Sequence, residues 1–322
     1  MTMFPKLCFF LMLLSPFWGG CRNTTDSTKL NVDHDIPPSE DFDAYYGFWG
    51  PNGDKIYFQH NEKLGTNPDP GRLDELWELD LKTGKRQMIH SGRILNASIS
   101  QDGEWFVFHS FSDPEYLYKM RSNGTDLEKL TGPDSPNPDW KYTNVGRWSP
   151  DGKQILFTVA AGVPRGISLM DSSGSNAHII IPYGVGARWF HGGKRIVYVN
   201  WDTTQPQGRR RQIYIANVDG SDPQKITDLP HSDYVGEPVS SPDGNKIVFD
   251  NVASNNNYEL FIMNSDGTEI EQVTEGVGVA GRPQWSPNGK TILFSRFIPN
   301  VSRRLYLLDV QTKQVTPVFP AK

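Results

Sequence analysis

With 322 residues, 37% of them hydrophobic and 12% aromatic, the chain can fill one large packed core or two ordinary ones. Its formal net charge of −5 argues against nucleic acid as a partner. Thirty Gly and twenty-four Pro favour many turns over long helices. In chain order, Lys6 forms a short positive stretch ahead of an apolar run, Leu7 to Phe17. That run is too short to span a bilayer and ends in Gly19-Gly20 before Cys21, as an export signal does. Residues 22 to 40, rich in Thr, Asp, Asn and Pro, read as a flexible tether.

Gly19-Gly20-Cys21 resembles the lipobox of bacterial lipoproteins, which implies cleavage before Cys21 and lipid on its thiol. An ordinary secretory signal accounts for the same segment without the lipid. On the lipoprotein reading, residues 1–20 are a signal peptide, 21–41 a lipidated tether and 42–322 the folded domain. Cys8 leaves with the signal, so Cys21 is the one mature thiol and no internal disulfide can form.

From there the chain repeats one unit six times. Arg147-Trp148-Ser149-Pro150-Asp151-Gly152 followed by Lys153 to Thr158 shows it best: strand, turn, apolar strand. Asp151-Gly152 predicts a two-residue hairpin turn with positive φ at both central positions. The equivalent turn glycines are Gly53, Gly103, Gly152, Gly193, Gly244 and Gly289, spaced 50, 49, 41, 51 and 45 residues apart. After each comes an apolar triad, such as Ile155-Leu156-Phe157 or Ile247-Val248-Phe249, suited to a strand buried on both faces. A third strand follows a variable loop, a second turn closes the unit, and a fourth strand ends in Lys129-Leu130-Thr131, Lys225-Ile226-Thr227 or Gln272-Val273-Thr274. Four antiparallel strands at this period predict an all-β fold, a six-bladed β-propeller. The last unit holds its own fourth strand from Gln314 to Val318, so closure needs no strand borrowed from the N-terminus.

The Trp-Ser-Pro-Asp-Gly core, with the Leu-Tyr-x-Met-like third strands and the Leu-Thr-like endings, resembles the TolB-like, or PD40, propeller family over roughly residues 42–318. The resemblance speaks for the fold, since the matching residues serve turns and packing. It implies relatives as different as the Tol–Pal component, peptidase propeller domains and lyases of oligouronides. The Tol–Pal member carries an additional N-terminal α/β domain. Repeats beginning near Tyr46 leave no room for one, so that role is not expected.

In such a blade the Gly-closed turns lie on one face, while second-to-third loops and blade crossings lie on the other. The second set varies most, and variable loops on a rigid scaffold are where binding residues gather. Four residues there form the principal candidate. Arg147 and Arg188 stand one before Trp148 and Trp189, Arg282 three before Trp285, and Glu237 three before Ser240 in the Trp position. With a period of two, all four leave the side opposite the packing Trp, near the axis. They read either as an anion site or as ion pairs between blades. Arg209-Arg210-Arg211 beside Trp201 is a second candidate anion clamp, or a solvated loop tip. His60, His109 and His231 reach the same face and read as loop hydrogen-bonding groups or as ligands for Mn or Zn. No cofactor is otherwise expected.

No Gly-x-Ser-x-Gly elbow is present, and the mature chain keeps no free thiol for a cysteine nucleophile. The expectation is a monomeric, exported and lipid-anchored scaffold for an envelope protein or an acidic oligosaccharide or peptide, touching the membrane through lipid alone. A metal-dependent lyase or hydrolase acting on acidic saccharides is the alternative.

Overall fold

The computed structural model describes residues 44–60, 74–110, 114–161, 165–202, 210–229, 234–254, 256–298 and 302–319. They form six four-stranded antiparallel sheets, each built from four strands consecutive in sequence: a six-bladed β-propeller. One short 3-10 turn, His191–Gly193, is the sole helical element among the described residues. No helix there is long and apolar enough to cross a membrane.

The apolar triads explain the ring. In blade 5 Ile247 and Phe249 pack toward blade 4, with Val197, Ile213 and Val199. Val248, between them, packs toward blade 6 with Ala280, Ile292 and Phe294. Alternating side chains of one strand thus enter two cores, so both must be apolar. The same holds at the other interfaces, including that between blades 1 and 6, where Phe58 and Ile56 meet Leu293 and Leu305. The outermost strand of blade 6, Val315–Pro317, pairs with that blade's own third strand.

The innermost strands carry the Trp position. Trp49, Trp189 and Trp285 each donate their indole N–H to the preceding blade, to Gln284 O (3.2 Å), Arg147 O (3.1 Å) and Val239 O (3.0 Å). Because Trp49 reaches blade 6 just as Trp189 reaches blade 3, the closing interface is built like the others.

The turn after the innermost strand differs from the predicted two-residue hairpin. In blade 3 the strands end at Trp148 and resume at Gln154, and Gly152 alone takes positive φ, 70°. Ser149 replaces the missing ladder bonds. Its hydroxyl donates to Asp151 Oδ1 (2.6 Å) and accepts the N–H of Gln154 (2.9 Å), while Asp151 accepts the N–H of Lys153 (3.1 Å). Blades 2, 5 and 6 repeat this network. The Ser and Asp of the motif are therefore bonded within their own turn.

The Thr closing the fourth-strand motif also lies outside the strand. Outermost strands stop at Lys129, Lys225 and Gln272. The hydroxyls of Thr131, Thr227 and Thr274 then accept the N–H of Leu117, Ile213 and Leu260, each at 2.9 Å. Thr274 also donates to the fully buried Glu259 (2.6 Å), which takes Arg296 Nη2 (3.0 Å) from blade 6. Thr274→Val should cost about 1–3 kcal/mol, because both a buried N–H and a buried carboxylate lose a partner. Urea unfolding checks it, and a loss below about 0.5 kcal/mol would assign the contact no weight.

Candidate functional site

Five of the six innermost strands are interrupted at one place. Pairing slips by a residue between Tyr45 and Phe48, Leu95 and Ser98, Val185 and Arg188, and Gly281 and Gln284, and in blade 3 the slip falls opposite Leu156 to Thr158. Three residues before the Trp position, the chain turns left-handed: Tyr46 (φ 49°), Asn96 (49°), Val145 (55°), Gly186 (64°) and Arg282 (60°). Glu237 holds the equivalent place ahead of the short strand Val239–Ser240. These are β-bulges, which re-aim side chains. The period-two argument for the four candidates therefore fails across the bulge, yet the bulge itself turns Arg282 to the axis.

Arg147, Arg188, Arg282 and Glu237 come together there. Glu237 Oε1 accepts Arg282 Nη1 (2.8 Å), its Oε2 accepts Arg188 Nη2, and Arg147 Nη2 lies 3.8 Å from that oxygen. Arg147 also donates to Gly146 O (2.7 Å) and Asn96 O (3.1 Å), while Arg282 reaches Asn96 Oδ1 (3.5 Å) and packs over the Tyr46 ring at 4.9 Å. Glu237 reaches its partners across Gly186, where a Cβ would stand 2.9 Å from its Cγ. Arg188 is nearly buried, with its side chain 7% exposed, whereas that of Arg282 keeps 22%. Arg282 is thus the rim of the cluster.

Electrostatics follow from this crowding. Burial alone would raise the Glu237 carboxyl, but Arg188, Arg282 and Arg147 pull it down to about 2. Burial works against the charge on Arg147 and Arg188, and the neighbouring guanidiniums add to it. Arg282 is held above its ordinary value by Glu237 in spite of burial. One carboxylate thus serves three cations.

Asp250 stands behind them. Its carboxylate accepts the main-chain N–H of Arg282 and the Tyr234 hydroxyl, and it packs so close to Gly236 that a Cβ there would lie 2.1 Å from Oδ1. Burial, with Glu237 adding to it, raises this carboxyl to about 6 against the pull of Arg282. Sequence reasoning missed Asp250, Asn96 and Tyr46. Asn96 and Tyr46 share the position three before the Trp place in blades 2 and 1, and Asp250 follows the triad Ile247-Val248-Phe249. A full register over six blades would have shown all three.

That register also separates the histidines. His109 follows its triad directly, as Asp250 does, and pairs with Leu95. His60 is one residue further on, since Gln59 takes the His109 place and pairs with Tyr45. The offset sends the two side chains to opposite faces of their strands. His60 meets Trp77 edge-on at 6.1 Å. His109 is fully buried and lowered to about 3 by burial, Arg147 and Arg282, so it is neutral beside guanidiniums that repel a cation. His231 lies outside the described residues, among which no group of three His, Cys, Asp or Glu could hold a metal ion.

Of the arginine run, Arg211 meets Trp201, its cross-strand partner, at 5.3 Å from the ring centroid and Tyr234 at 5.7 Å. Arg209 and the Arg210 side chain lie outside the described residues, as does Cys21.

Comparison with known proteins places this geometry. Residues 165–318 match the family model described as the TolB beta propeller domain, PD40. An uncharacterized protein of Agrobacterium fabrum is 26% identical over 47% of this chain and 54% of its own length. The uncharacterized peptidase YuxL of Bacillus subtilis is 29% identical over 54% of this chain and 24% of its own. The chain thus spans about half of one curated relative and a quarter of the other. TolB from Acinetobacter baumannii superposes with a TM-score of 0.65 at 21% identity, covering 85% of this chain and 66% of that one. An oligogalacturonate lyase in complex with manganese gives 0.57 at 16% identity, covering 85% and 79%. At these identities the solved structures share the fold. They assign no activity here.

Proposed function

We propose that this chain is an exported binding scaffold, lipid-anchored at Cys21, which recognises an anionic partner on the variable-loop face of its propeller. The partner would be an envelope protein or an acidic oligosaccharide or peptide, bound by one copy of the chain. The observation that carries the reading is the charge imbalance at the axis: three guanidiniums from blades 3, 4 and 6 share Glu237 of blade 5. Rigid blades holding such a cluster leave positive potential at the channel mouth. The likeness of residues 165–318 to the TolB propeller domain supports a scaffold role.

Arg282 tests this best, because it is the most exposed of the three. Arg282→Gln should weaken binding to acidic peptides and oligosaccharides about tenfold or more while the melting temperature moves by a few degrees. A fall in melting temperature with unchanged binding across such a panel would leave the arginines as ties between blades and end this reading. The anchor is tested separately. Cys21→Ala should move the protein from the membrane to the soluble fraction of the cell envelope, and continued partition with detergent would remove the lipid.

A further inference from the structure

Glu237 does not exhaust the donors at the axis. Arg188 Nε and Nη1, Asn96 Nδ2 and both ring nitrogens of His109 are buried without a hydrogen-bonding partner. These residues are 6%, 4% and 0% exposed and come from blades 4 and 2. A buried donor left unpaired costs about 1–3 kcal/mol, so three such residues ranged around Arg147, Arg282 and Glu237 call for an acceptor. His109 is neutral here and offers one N–H, whichever tautomer it holds. The missing group is an anion, since a cation would face the guanidiniums.

Charge states its valence. Arg147, Arg188 and Arg282 against Glu237 and an ionised Asp250 leave one positive charge, and a protonated Asp250 leaves two. With Asp250 ionised, a carboxylate closes the balance, while a phosphate dianion would leave buried negative charge. Below about pH 6, where Asp250 is protonated, inorganic phosphate is itself chiefly a monoanion. We propose that the axis accepts a single carboxylate at Arg188, Asn96 and His109, and that Asp250, seated behind Arg282, controls how tightly it is held. This rests on reading the axis as an anion site.

Asp250 suits that role by position. Among the described residues the titratable groups facing it are Tyr234, Glu237 and Arg282, and the backbone at Gly236 and Gly281 packs against it. Its carboxyl, raised to about 6, is protonated below that pH and ionised above it. Rising pH therefore adds a negative charge beside the site and weakens carboxylate binding. His109, lowered to about 3, stays neutral throughout and adds nothing to the change. Tyr234, raised by burial and Asp250, does not ionise in this range.

The test is calorimetric titration of the full chain at constant ionic strength, at pH 5.5 and 7.5. The probes are sodium acetate, sodium phosphate, and acetyl-trialanine with a free or an amidated C-terminus. Acetate should bind once per chain, roughly fivefold or more tightly at pH 5.5. Free-acid peptide binding, lost on amidation, would name a chain terminus as the source of the carboxylate. Acetate without the peptide would name a small free acid. Asp250→Asn should abolish the pH dependence. Asn96→Gly keeps the left-handed backbone, removes the amide, and should weaken acetate severalfold, which serves if the Asp250 variant does not fold. No anion binding at either pH would overturn this inference together with the reading beneath it. Acetate binding that ignores pH or Asn96→Gly, or a preference for phosphate at pH 7.5, would overturn the inference alone.

Discussion

Glu237→Gln should lose about 3–5 kcal/mol at pH 7, because it strands three largely buried guanidiniums. The loss should depend on pH in a definite direction. The Glu237 carboxyl stands at about 2 in the fold, below its value of about 4.3 in an unfolded chain. A group lowered on folding contributes fully above its unfolded value, and loses that contribution as pH falls through the folded one. The gap of roughly two units corresponds to about 3 kcal/mol of linkage. Urea unfolding of both proteins between pH 7 and pH 2 should therefore show curves that converge only below about pH 4.5. A constant difference over that range, or one below about 1 kcal/mol, would mean that Glu237 is solvated and does not hold the cluster. Adding Arg188→Gln to the variant should recover part of the loss, since the most buried unpaired cation is removed with its partner.

The second large effect concerns a glycine. A Cβ at Gly267 would lie 1.7 Å from Ile226 O of the preceding blade, and the residue sits at φ 89°. The same contact recurs where Gly220 approaches Ile180 O and Gly124 approaches Ile89 O. These three third-to-fourth turns, of blades 2, 4 and 5, thus rest on the neighbour's outermost segment through bare backbone. Gly152, at φ 70°, has nothing within 4 Å of the added atom. Gly152→Ala should then cost about 1–2 kcal/mol, the left-handed penalty alone. Gly267→Ala should cost several kcal/mol, because a carbonyl and not a flexible side chain must give way. Thermal unfolding of the pair decides it. Equal losses would show that the blades can separate there without cost.

What the amino-acid order settles here is local. Six turn glycines, six apolar triads and their period are enough for a six-bladed propeller, since each is a short-range signal repeated in register. The reason is physical: a strand packed between two cores must be apolar through the triad that enters them, and a tight turn must have a residue tolerant of positive φ. That Arg147, Arg188, Arg282 and Glu237 all sit at the start of an innermost strand, one or three residues before the Trp position, was legible as well.

Tertiary structure decided the rest. Period-two reasoning across Arg282 breaks at a bulge, which depends on how the strand pairs and leaves no mark in composition. His60 and His109 stand one residue apart in register, which in a strand means the opposite face. Asp250 looks like one more strand residue until Gly236, Gly281 and the Arg282 N–H close around it. Its raised carboxyl, the neutral His109 and the unpaired donors of Arg188 and Asn96 arise only where six chain segments, far apart in sequence, exclude water from one axis.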